Sequence, residues 1–403
     1  MLATVQGYQV IVGSDAKDGD LGVFFPCDGM LTKEHLRANR LYSTDPDTGE
    51  KMGGYFGKNG RVRAQKFRGE ISDGFWQEAR GFDWCGGLAL PDGEEFDSLG
   101  GQKICQKYFT PATRRAQGVG KHGRAKRATV TYPTFFEHYD TKQLRNNLGS
   151  IPAGAVIYVS EKLHGTSGRT GYIQPAIRRS RFARFVRRVL GREDPWVYVC
   201  GTRRTIRHEQ KDGFYGKEQF RLRIHDEIKR AGLRKGEIIY YEIVGFTEDN
   251  RSIMPRYEVT DKGVRKRYGD KMVYSYGCGD NQSRFFVYRI TQQTPDGLAL
   301  DLSWDQVIAR CQQLGLEVVP ELIRFLYDGD TETLLEIVNG NTRGDSVLDS
   351  NHIREGVVCR IEHPDVYSNN PSMIALKHKG FHFCEMEGIK KNDDTYVDVE
   401  EIA

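Results

Sequence analysis

Over the first hundred residues, apolar positions come in short runs separated by glycine turns. Residues 4–12, 21–25, 62–67 and 103–109 read as strands, with Gly19-Asp20 and Asn59-Gly60 as turn signals. Short strands without long helices predict a small all-β barrel over 1–109. Within it, Arg61-Val-Arg-Ala-Gln-Lys-Phe-Arg68 alternates, so a regular strand would put Arg61 and Arg63 on one face and Lys66 on the other. Hydrophobic periodicity disappears over 110–131, which predicts a basic linker. A second domain, 132–403, follows. Phe135, Phe136, Leu144 and Leu148 have helical spacing, which Ile151-Pro152 stops. An apolar run, 155–159, then delivers Lys162 to a turn reading Leu-His-Gly-Thr-Ser-Gly. Further on, 196–200, 237–244, 272–276, 284–290, 356–362 and 373–377 read as strands, and 304–314 and 331–338 as helices. This mixture predicts an α+β domain built on antiparallel sheet.

Composition narrows the class. The 403 residues carry 28% charged side chains and a formal net charge of +4, with no apolar run of membrane-spanning length. Met1 to Gly13 lacks the basic start and cleavage site of a signal peptide, so a cytoplasmic protein with no membrane association is expected. The eight cysteines are scattered without a Cys-x-x-Cys pair, which suggests neither a disulfide framework nor a zinc site. Positive charge is clustered. Between Ile177 and Gly191, Arg184, Arg187 and Arg188 alternate with Phe182, Phe185, Val186, Val189 and Leu190, the pattern of a basic amphipathic helix. That helix, and the Arg61, Arg63 and Lys66 strand, fit either a solvated face or contact with nucleic-acid phosphates.

Chemistry enters through polar residues placed on otherwise apolar strands. Glu161 and Lys162 end one; Arg203 lies just past another, in Cys-Gly-Thr-Arg. Glu242 sits inside Ile-Ile-Tyr-Tyr-Glu-Ile-Val-Gly, where a carboxylate needs a cation. Phe286 and Tyr288 share one face of Phe-Phe-Val-Tyr, Glu355 and Arg360 bracket Glu-Gly-Val-Val-Cys-Arg, and Lys377 and Lys379 stand two apart. Singly, each is a common strand-end charge. In this order, 132–380 resembles the covalent nucleotidyltransferases, the superfamily of RNA ligases, DNA ligases and mRNA capping enzymes, with Lys162-Leu-His-Gly as the nucleophile motif. His164 as its third residue is similar to the RNA ligase 2 branch. The segment from Asp18 to Pro26 resembles RNA ligases that carry an OB domain ahead of the catalytic one, so the resemblance implies an N-terminal OB-like β-barrel.

The resemblance implies an ATP-dependent RNA ligase working through a lysyl-AMP intermediate, with Mg2+ or Mn2+. Lys162 would be the nucleophile, assisted by His164, Lys377 and Lys379. Glu161, Gly165, Arg203, Glu242, Phe286 or Tyr288, Glu355 and Arg360 would surround the nucleotide, and Glu355 and Glu242 would hold the metal. RNA is the implied partner, as a nicked duplex or an RNA/DNA hybrid. DNA ligases and capping enzymes carry an OB domain after the last motif. Only 381–403 follow it here, which disfavours both alternatives. The non-enzymatic alternative is an RNA-binding protein on an inactive ligase fold; no motif lysine or glutamate is missing, which weighs against it.

Overall fold

The computed structural model describes residues 1–89, 91–118, 130–177, 195–207, 219–369 and 371–398. The expected basic helix with Arg184, Arg187 and Arg188, and 119–129 of the expected linker, lie outside the described residues. The start of that linker is helical, from Pro111 to Gly118. Proline at the first helical position accounts for this, because its missing N–H is one the helix leaves unpaired anyway. Among the described residues, no helix is long and apolar enough to cross a membrane.

The chain divides into two compact units, Met1–Arg114 with Phe381–Val397, and Arg115–Gly380 with Asp398–Ala403. In the first unit the strands pair only two by two, each pair antiparallel. No closed barrel forms among the described residues, so the expected OB-like barrel is not found. The strands run only two to five residues, and the core of Phe25, Leu31, Leu36, Tyr42, Phe56, Val62 and Phe82 draws heavily on loops and helical turns between them. The predicted strand 62–67 is regular only from Gln65 to Phe67. Arg61 therefore leaves the expected cationic face. It is buried, bonded to Asp28 at 2.8 Å and to the Gly388 carbonyl at 2.9 Å. Arg63 is half-buried and Lys66 exposed.

The second unit holds two large sheets, whose strands are numbered here in chain order. One has five strands, in the order β1 (Lys142–Gln143), β11 (Ala375–Lys379), β10 (Gly356–Glu362), β2 (Val156–Lys162), β9 (Glu321–Leu326). All of its neighbours are antiparallel except β1 and β11. The other has six, in the order β5 (Ile206–Arg207), β4 (Val197–Gly201), β3 (Thr166–Ile173), β6 (Glu237–Gly245), β7 (Ser283–Gln293), β8 (Ala299–Asp301), antiparallel throughout. The expected α+β class with antiparallel sheet is observed.

Alternation decides what each face of the five-stranded sheet does. Ile157 and Val159 of β2, Val357, Cys359 and Ile361 of β10 and Leu376 of β11 enter one core with Leu334 and Val338 of the helix Thr331–Thr342. Their alternates, Tyr158, Ser160 and Lys162, Val358 and Arg360, Ala375 and Lys377, line a cavity. The helix expected from Phe135, Phe136, Leu144 and Leu148 does not form; only Arg145–Ser150 makes a 3-10 turn. Gln143 instead pairs with Lys377, and Phe135 packs on Ile173, Val199, Ile238 and Tyr240.

Candidate active site

Lys162 closes β2 opposite Gly356 of β10, and that register brings it to Glu355, the residue before β10. The ammonium lies 2.8 Å from Glu355 Oε1, and Lys379 Nζ lies 3.3 Å from the same oxygen. His164 Nδ1 is 3.4 Å from Oε2. Glu355 has no exposed surface. Burial alone would raise its pKa, but Lys162, Lys379 and His164 outweigh it and bring the value down to about 2. Glu355 is therefore an anion at any working pH. Lys377 borders the cavity, and Arg360 is bound to Glu362 at 2.9 Å, to the Tyr367 hydroxyl at 3.0 Å and to the Leu302 carbonyl.

The turn between β2 and β3 fits only a glycine at its third position. A Cβ on Gly165 would stand 2.3 Å from the Ile243 carbonyl oxygen and 2.9 Å from Glu242 Cγ. This close approach joins the lysine turn to β6. There Glu242 sits opposite Ser167 of β3 and Phe286 of β7, and the Ser167 hydroxyl donates to Glu242 Oε2 at 3.1 Å.

The cavity between the sheets is bordered by Glu161, Lys162, Gly165, Arg203, Glu242, Tyr288, Arg360 and Lys377 from the sequence reading. Glu161 is there, yet its carboxylate is committed to the Val347 amide at 2.9 Å, and burial raises its pKa. Arg203 is anchored to Asp140 at 2.5 Å and to the Tyr139 carbonyl at 3.3 Å. Phe286 and Tyr288 part company: Tyr288 borders the cavity, whereas Phe286 is buried under the Arg284 guanidinium, 4.8 Å from its ring, and is not among the lining residues. The pairing slips at this point. Tyr241 faces Val287 and Tyr240 faces Arg289, so Tyr288 is an extra residue that breaks the expected alternation.

Two groups escaped the sequence reading. His138, Tyr139 and Thr141 line the cavity from the segment before β1. Behind the lysine turn, the His164 amide donates to the Tyr276 hydroxyl at 2.6 Å, and His164 Nε2 lies 2.7 Å from the Tyr257 hydroxyl. Tyr276 is in turn held by His352, which accepts its backbone N–H at 3.3 Å. The aromatic repeat Tyr274-Ser-Tyr276 was the available signal; read as a strand, it is mostly loop.

Among the described residues, no group of three or more His, Cys, Asp or Glu could hold a metal by itself. The carboxylates present, Glu355 and Glu242, are hard oxygen donors of the kind that magnesium or manganese combines with phosphate oxygens and water.

A fold comparison finds solved structures of Naegleria gruberi RNA ligase. A variant with ATP and Mn is 18% identical, with a TM-score of 0.57, covering 95% of this chain and 92% of that one. The same enzyme with PPi is 16% identical at a TM-score of 0.57, covering 95% and 92%. Among curated protein sequences, none matches. The RNA ligase family model matches residues 155–375, from the strand that carries Lys162 to the one that carries Lys377 and Lys379, and this chain belongs to the RNA ligase family.

Proposed function

We propose that the protein is an ATP-dependent RNA ligase that seals 3′-OH/5′-phosphate breaks, nicks in a duplex above all, through a lysyl-AMP intermediate. The observation that carries this reading is Lys162 at the edge of the cavity, its ammonium set against a fully buried, ionised Glu355 that Lys379 shares. The ATP, AMP and pyrophosphate complexes of the Naegleria enzyme support the same reading.

In the first step, the Lys162 amine attacks the α-phosphorus of ATP; an N–P bond forms, the bond to the β-phosphate oxygen breaks, and pyrophosphate leaves. Attack needs the free amine. Glu355 is the nearest acceptor for the ammonium proton, but with a pKa of about 2 it is a poor base. Its role is instead to orient Lys162, while the like charge of Lys377 and Lys379 favours loss of the proton. Those cations also balance charge on the transferred phosphoryl group. Arg203 and Glu242 would hold the ribose and Tyr288 would stack on the base. A divalent cation held by Glu355, with Glu242 as a second ligand in place of its ribose contact, would supply further positive charge to the phosphates when bound. In the second step, a 5′-phosphate oxygen of RNA takes the AMP and frees Lys162. In the third, a 3′-OH attacks that 5′-phosphate and expels AMP. Arg63, Lys66 and the basic stretch at 184–188 are the proposed contacts to RNA phosphates.

The test is incubation with ATP and Mg2+ or Mn2+ followed by intact-mass measurement. One added AMP is expected in the wild type and none in Lys162→Ala. No addition to the wild type, or addition that persists in the variant, overturns the covalent mechanism and leaves the RNA-binding alternative. Joining of a nicked RNA duplex, compared with nicked DNA, then tests the substrate.

A further inference from the structure

The wall of the cavity beside Tyr288 carries a histidine that belongs to none of the sequence motifs. The His138 ring lies 5.0 Å from that of Tyr288, 4.7 Å from Tyr139 and 5.8 Å from Tyr240, centroid to centroid. Its Nδ1 lies 3.4 Å from Arg289 Nη1. A guanidinium can only donate, so Nδ1 accepts and the proton of the neutral imidazole is on Nε2. Among the described residues, Nε2 makes no hydrogen bond of its own.

Arg289 is not free to turn away. Asp301 binds it through both carboxylate oxygens, at 2.5 and 2.9 Å, and it lies over the rings of Tyr139 at 4.3 Å and Tyr240 at 4.6 Å. Burial holds the His138 pKa well below its usual value, and Arg289, Arg203 and Arg169 add to the effect. The imidazole thus stays neutral, with one fixed tautomer.

We propose that His138 is a specificity-determining residue, whose Nε2–H donates a hydrogen bond to N1 of the purine stacked on Tyr288. This rests on the reading of the cavity as an adenine-nucleotide site. N1 of adenine has a lone pair and accepts from a fixed donor, whereas the N1–H of guanine faces it with a second donor. Site groups built to pair with a base edge discriminate because a mismatch leaves a desolvated polar group unpaired.

The experiment measures lysyl-AMP formation as a function of nucleotide concentration, for the wild type, His138→Phe and His138→Gln. Phenylalanine keeps a ring against Tyr288 without the N–H; glutamine returns a donor. His138→Phe is expected to raise the KM for ATP about tenfold with a much smaller effect on kcat, and His138→Gln to recover part of it. The wild type is also assayed with 1-deaza-, 3-deaza- and 7-deaza-ATP. 1-Deaza-ATP should raise its KM by about the same factor and cost His138→Phe nothing further, while 3-deaza- and 7-deaza-ATP should behave alike in wild type and variant. An unchanged KM in His138→Phe, or an unchanged KM for 1-deaza-ATP in the wild type, overturns the proposal. If the wild type forms no lysyl-AMP at all, the nucleotide reading falls, and the role of His138 with it.

Discussion

Glu355 shows how much one residue can be asked to do by its neighbours. A carboxylate without solvent is costly, and Lys162, Lys379 and His164 offset that cost by surrounding it. Lys162, His164, Lys379 and Glu355 were each legible in the sequence as motif residues. The pairing itself was not legible: it follows from the register of β2 against β10, which local pattern does not contain. His138 was hidden for a different reason, as a polar residue in an irregular segment whose neighbours Tyr240, Tyr288 and Arg289 come from distant strands. Gly165 can be tested directly. A methyl group there meets a backbone carbonyl that has no rotamer to change, so the turn carrying Lys162 has to shift. Gly165→Ala should slow AMP addition about a hundredfold, the scale expected for a misplacement near 1 Å, and destabilise the unit by about 1–3 kcal/mol. AMP addition by mass and a urea melt check both; wild-type rates would show that the close approach is dispensable.

Elements are legible where one hydrophobic period runs long enough. The helix Trp304–Leu314 and the strand Gly356–Glu362 appear as the pattern predicts. The helix Gln219–Ala231 was missed although Phe220, Ile224 and Ile228 are spaced by four on its buried side, because arginines and a histidine interrupt the run. On β11 the alternation places His378 opposite the two lysines, where it is buried and its Nε2 lies 2.9 Å from Asn339 Oδ1. Burial, with Arg145 nearby, lowers its pKa to about 3. The unfolded chain, with a histidine value of about 6.5, therefore binds the extra proton between those limits. Stability from keeping His378 neutral is complete above about pH 6.5 and drains as pH falls toward 3, by up to about 1.4 kcal/mol per pH unit. His378→Gln should remove that much of the slope between pH 6 and 5 in urea unfolding. An identical slope in wild type and variant would mean that His378 is protonated in the fold.

For the whole molecule, the sequence reading placed 381–403 with the catalytic domain, while the fold assigns Phe381–Val397 to the same unit as Met1–Arg114. Nothing local in Phe-His-Phe-Cys-Glu-Met-Glu-Gly announces a partner more than three hundred residues away. The link is electrostatic as well as apolar. Asp28 binds Arg61 at 2.8 Å and Lys391 at 2.8 Å, and Lys391 also meets Glu387 at 3.3 Å. Burial opposes ionisation of Asp28, but the two cations prevail and hold its pKa well below the usual carboxylate range. Removing that charge leaves Arg61 and Lys391 buried without it, Lys391 keeping Glu387 at 3.3 Å. Asp28→Asn is therefore expected to destabilise the first unit by about 3 kcal/mol, the lower end for breaking a buried pair, since Asp28 keeps some exposure. Since the folded carboxylate is the more acidic one, this contribution is present above about pH 4 and lost as pH falls through its folded value. Hydrogen exchange reads it out region by region: protection should fall together around Arg61 and along Phe381–Lys390 in Asp28→Asn. Loss confined to the loop at Asp28 would show that the ion pairs decorate this packing without holding it.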